Sequence, residues 1–127
     1  MNSEPIKPTH YKELIVWQKG MELAKTIYRF TAVFPQEEKY GLATQMRRAA
    51  VGVPSAIAEG QARYGTQEFL HFLSRANGFL AELETQVLLS ADLGLCPGFD
   101  ISEILNAIME MQKMLAAIRR KLGHAGH

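Results

Sequence analysis

The side chains able to do chemistry are few and badly spaced for it. Of the four histidines, His10, His124 and His127 lie in terminal segments and His71 stands alone. No two are spaced as metal ligands on a helix. Glu68-Phe69-Leu70-His71 is a single Glu-x-x-His pair, whereas a di-metal carboxylate bundle needs two on inward faces. His71 also falls on the polar line of its helix pattern. Cys96, the one cysteine, sits in Leu95-Cys96-Pro97-Gly98 with no histidine near it in sequence, so it has neither a disulfide partner nor a base to make a thiolate. No serine or threonine has an evident base beside it either. These residues point to a protein that is not an enzyme and uses no metal, cofactor or small-molecule substrate.

Charge offers a second kind of chemistry, contact with polyanions. The formal charge is +1, which demands neither nucleic acid nor an anionic membrane. The distribution says more. Residues 66–95 carry one cation against four anions, while residues 11–35 carry four against two. Basic helices thus surround an acidic one. Lys19, Arg47, Arg48, Arg63, Arg119 and Arg120 are the cations that could meet RNA or DNA; read without a ligand, they are a solvated face. Arg119, Arg120 and Lys121 also complement the negative end of a last helix. Glu59 has Arg63 four residues on, the spacing of a helical ion pair.

These groups must be positioned by helices, since no strand pattern, repeat or phosphate-binding glycine loop occurs. Phe69, Leu73, Ala76, Leu80, Leu83 and Val87 step 4, 3, 4, 3, 4, one face of a helix. Phe72, Phe79 and the line of Leu70, Ala81 and Leu88 widen its apolar arc beyond one stripe. Such a helix needs cover on two sides, and truncating Phe72 or Phe79 is expected to weaken an oligomer more than the monomer. Glu84 falls among Leu70, Asn77, Ala81 and Leu88; it reads as partly buried and in need of a partner, with Arg47 or Arg48 as candidates.

Leu42, Met46, Ala49, Val53 and Ile57 define another amphipathic helix with Pro54 inside it, which predicts a kink near Gly52 to Pro54. Gly60 and Gly65 weaken or end that helix. Leu14, Trp17, Met21, Ala24, Ile27 and Tyr28 predict the first helix, with Val16, Leu23, Ile27 and Phe30 widening its face, Trp17 as a core anchor and Phe34-Pro35 as its stop. Thr66 reads as the N-cap of the third helix and Gly94 as its end. Asp100 and Glu103 resemble a capping box ahead of the fourth. That helix has the seam Ile101, Ile104, Ile108, Met111, Leu115, Ile118 and Leu122, and Gly123 closes it. The organisation is a flexible lead-in over residues 1–10, where Pro5 and Pro8 forbid a helix, a bundle over 11–122 and a tail over 123–127. The fold class is all-α, an antiparallel up-down four-helix bundle with its second helix kinked at Pro54.

Val16-Trp17-Gln18-Lys19, Tyr40-Gly41-Leu42, Arg47-Arg48-Ala49-Ala50, Val53-Pro54-Ser55, Ile57-Ala58-Glu59-Gly60, Phe69-Leu70 and Leu80 to Gln86 together resemble one family. It is the four-helix-bundle proteins read from intervening sequences of bacterial 23S rRNA genes. The resemblance spans about Tyr11 to Leu122. It implies a cytoplasmic homopentamer, and a similarity to the accessory protein of diversity-generating retroelements, which binds nucleic acid and a reverse transcriptase. Ala56 departs from it, standing where the family usually carries Asn. The combined expectation is a non-enzymatic homo-oligomeric scaffold or accessory factor, with an RNA- or DNA-binding accessory protein as the alternative. No apolar run is long enough to cross a membrane.

Overall fold

The computed structural model describes residues 10–39 and 41–125. Residues 1–9 of the lead-in expected over 1–10, the motif residue Tyr40 and the last two residues of the tail lie outside them. Four long helices carry the chain: α1 (Ile15–Ala32), α2 (Leu42–Ala62), α3 (Thr66–Asp92) and α4 (Ser102–Ala125). Short 3-10 turns at Tyr11–Glu13 and Gln36–Glu38 precede α1 and α2. There is no strand among the described residues.

Close contacts fix how the helices pass one another. Gly52 meets Phe79 and Gly60 meets Phe72, so numbers climb along α2 as they fall along α3. Arg47 reaches Thr31 while Pro54 lies against Gly20, which gives α1 and α2 opposite directions in the same way. Lys19 bridges to Glu110 at 3.5 Å, and the rings of Phe30 and Phe99 stand 4.8 Å apart, joining α1 to α4 and its leading loop.

The core lies along the axis of the bundle. Leu73, Ala76, Leu80, Leu83 and Val87 of α3 are wholly buried, with Ile104, Ile108, Met111 and Leu115 of α4 and Met46, Ala49, Val53 and Ile57 of α2. Each large aliphatic side chain removed from water in this way contributes about 1.5–3 kcal/mol. Three helices therefore bury the lines that their periodicity marks.

The first helix buries the residues expected to widen its face and leaves most of its leading line outside. Its buried line is Val16, Gly20, Leu23, Ile27, Phe30 and Thr31, while Met21 and Tyr28 are exposed and Trp17 is half-buried. Trp17 packs against the edge of the core instead of anchoring its centre. Two lines of helical period run side by side on α1, and the inner one contains the glycine. A Cβ on Gly20 would sit 3.3 Å from Pro54 and 3.5 Å from Met111, so this is where α1 approaches α2 and α4 most closely. The sequence pattern marks Val16, Leu23, Ile27 and Phe30 of this seam but not the glycine at its closest approach.

Gly60 likewise does not interrupt α2, which continues to Ala62. It is a notch for α3: a Cβ there would lie 2.6 Å from the Cβ of Phe72. Phe72 is accordingly buried inside its own chain, and its truncation would damage the monomer first, contrary to the expected effect on an oligomer. Ala56 is also buried, a few residues from the notch. The helix carries Pro54 in its interior and runs on for about two turns beyond it.

The ends of the helices are settled by backbone geometry. Gly65, not Thr66, occupies the N-cap of α3, and no side chain caps it. Gly94 takes φ 72°, and the amide of Leu95 bonds the carbonyl of Ser90 at 3.0 Å, a Schellman closure of α3. Asp100 accepts from the amide of Ser102 at 3.0 Å, which holds its carboxyl below the usual value. Gly123 lies within α4 instead of ending it. After α2 the left-handed turn falls on Tyr64, at φ 66° with 91% of its surface exposed.

Candidate functional site

The outer line of α1 steps 4, 3, 4 through Trp17, Met21, Ala24 and Tyr28. It faces Val51, Pro54 and Ala58 of α2 across an open groove of about 620 Å³. Tyr11 lies edge-on to Trp17 with ring centroids 5.4 Å apart and closes one end. At the other, the Arg47 guanidinium lies 4.4 Å over the ring of Tyr28. The floor is apolar because α2 offers small side chains there and α1 offers large ones. Lys25 and Arg29 line the lip on α1, and exposed Arg48 lies one turn from Val51 on α2. An apolar trough with a basic edge can hold an apolar helix that carries acid.

The six cations expected to serve nucleic acid are not gathered in one place. Lys19 is bound to Glu110, and Arg63 to Glu59 at 3.0 Å in the expected helical pair. Arg47 donates through Nε to Thr31 Oγ1 at 2.8 Å and through a terminal nitrogen to the Tyr28 carbonyl at 3.1 Å. Thr31 is buried, and its hydroxyl donates a hydrogen bond to the Ile27 carbonyl at 2.8 Å. Arg47 is thus a clamp on the end of α1 and does not meet Glu84. Arg48, Arg119 and Arg120 are exposed and make no ion pair among the described residues. Arg48 in α2 and Arg63 just past its end are 15 residues apart, about 22 Å of helical rise.

Glu84 is half-buried, as its place in the pattern suggests, and has no ion-pair partner among the described residues. A second hollow, between α1 and α4, holds Lys19 with Glu22, Asp100, Glu103 and Glu110, a lining that repels polyanions.

Redox and metal chemistry have little to work with. Cys96 is buried, which pushes its thiol pKa up and keeps it protonated. His71 is exposed, and no group of three or more His, Cys, Asp or Glu among the described residues could hold a metal ion. No helix among them is long and apolar enough to cross a membrane.

The groove is the feature sequence reasoning missed. Its signal was present in α1, where two staggered helical lines cannot both face one core. No curated protein matches the chain. The profile of the family described as 23S rRNA-intervening sequence protein matches residues 12–117. That span takes in all of α1, α2 and α3 and most of α4, and the chain belongs to this family.

Proposed function

We propose that the protein is a non-enzymatic, homo-oligomeric helical bundle that acts as a scaffold or accessory factor, five copies forming the assembly as the family resemblance implies. The observation that carries this reading is the apolar line of Met21 and Tyr28, exposed beside half-buried Trp17 on the outside of a filled core. An apolar groove on a chain with its own complete core is a surface for a partner. Light scattering on freshly purified protein tests it. The expected mass is a small multiple of 14.2 kDa, and a monodisperse monomer at micromolar concentration overturns the reading.

A second reading, an accessory factor that binds RNA or DNA, is favoured by exposed Arg48, Arg119 and Arg120, cations that no carboxylate among the described residues neutralises. Binding through them would release counterions and weaken steeply with salt. Fluorescence anisotropy with structured RNA and duplex DNA across a salt series tests this. Absence of saturable binding at low salt rejects it.

A further inference from the structure

The groove between α1 and α2 and the outer side of α3 are complementary in spacing, polarity and charge. Asn77, Ala81, Glu84 and Leu88 step 4, 3, 4 along α3, the same rhythm as Trp17, Met21, Ala24 and Tyr28 in the groove. Both lines cover eleven residues of helical rise, about 16 Å. Leu88 is 45% exposed and Ala81 is exposed, so the α3 line is free to dock. In its middle, half-buried Glu84 has no ion-pair partner among the described residues. The groove offers the opposite, an apolar trough with Arg29 on its lip and exposed Arg48 one turn from Val51, while Lys25 beside them is paired with Glu22 at 3.3 Å.

We propose that the groove of one copy receives the α3 line of a second copy, with Leu88 in the trough and Glu84 against its basic edge. The proposal rests on the homo-oligomer reading and names the two surfaces that meet. Groove against groove would bring Arg29 and Arg48 of both copies together. Line against line would do the same with Glu84. Only a head-to-tail contact matches opposite charges, and such a contact repeats until it closes a ring or runs on as a fibre. Equal 4, 3, 4 steps let the side chains of one helix seat between those of the other.

Three chains test this by light scattering and analytical ultracentrifugation: the wild type, Met21→Asp in the groove and Leu88→Asp on the α3 line. Both positions are exposed, so circular dichroism should show folded helices; should Met21→Asp fail to fold, Val51→Asp replaces it. The wild type is expected to assemble and each variant to remain monomeric. An equimolar mixture is expected to give a one-to-one heterodimer that grows no further, because each variant keeps the surface the other has lost. Glu84→Arg should weaken that heterodimer at least tenfold, while Glu82→Arg, off the line, leaves it unchanged. A Leu88→Asp chain that still assembles like the wild type, or a mixture that stays monomeric, overturns the proposal. A wild type that is itself monomeric overturns the homo-oligomer reading beneath it, and so the two failures are distinguishable.

Discussion

The ring of Phe79 occupies the space that a side chain on Gly52 would need, coming within 2.9 Å of where its Cβ would lie. Gly60 repeats the arrangement against Phe72, two turns further along α2. The two notches differ in what fills them. Phe79 offers the edge of a half-buried ring that can swing aside, whereas Phe72 offers its own Cβ, fixed to the backbone of α3. Gly60→Ala is therefore expected to destabilise the protein by about 1–3 kcal/mol through overpacking. Gly52→Ala should cost less, and Gly78→Ala, with open space around it, should stabilise by about 0.5–1 kcal/mol. Urea denaturation midpoints of the three variants check the order.

The clamp of Arg47 on Thr31 and the Tyr28 carbonyl makes a prediction that separates structure from ligand binding. Arg47→Ala should cost about 1.5–3 kcal/mol, since hydrogen bonds to a charged group are lost. Arg47→Lys should not restore it, because an ammonium cannot present the planar fork that reaches both acceptors and lies over a ring. A double-mutant cycle with Thr31→Val in thermal denaturation should show coupling of about 0.5–3 kcal/mol. Additive effects would mean that the guanidinium is idle in solution.

Tyr64 holds a left-handed backbone with a side chain exposed to solvent, a conformation that costs a residue bearing a Cβ about 1–2 kcal/mol. Tyr64→Gly should raise stability by about 1 kcal/mol, part of the relief being lost to the freer unfolded glycine. Tyr64→Val should lower it, as a β-branched side chain fits that region worst. Melting temperatures of the pair, measured side by side, decide the sign.

Burial of Cys96 raises its thiol pKa above the ordinary 9.0. The folded state therefore binds this proton more tightly than the unfolded chain. Its contribution to stability is complete below the unfolded pKa and is lost as pH rises through that value toward the folded one. The stability advantage of wild type over Cys96→Ala should accordingly shrink as pH rises above 9.0. Alkylation by iodoacetamide should be slow in the native protein and fast in urea.

Much of the fold was legible because three helices each carry one dominant apolar line. Leu73 to Val87 and Ile104 to Leu115 could face nowhere but inward, and Gly94 announced its turn. The errors share a physical cause. Gly60 and Gly65 read as weak points from intrinsic preference, yet one is a place where helices touch and the other is a cap, facts set by tertiary packing. The Glu59 and Arg63 pair was readable because its partners are local. The fate of Arg47 was not, since Thr31 lies 16 residues away on another helix. The groove was half legible: its α1 side is periodic, while Val51, Pro54 and Ala58 gain meaning only from what stands opposite.

Pro54 has no amide proton, so the carbonyl of Ala50 cannot receive the bond that would tie the two halves of α2 together at that turn. The half before it is held by Arg47 to α1 and by the core around Met46, and the half after it rests on the Gly60 notch. Amide exchange with deuterated water should therefore resolve α2 into two segments with separate protection. The segment from Ser55 to Ala62 would open as a unit before the one from Leu42 to Val53, and the groove, which draws wall residues from both, would loosen at one end before the other.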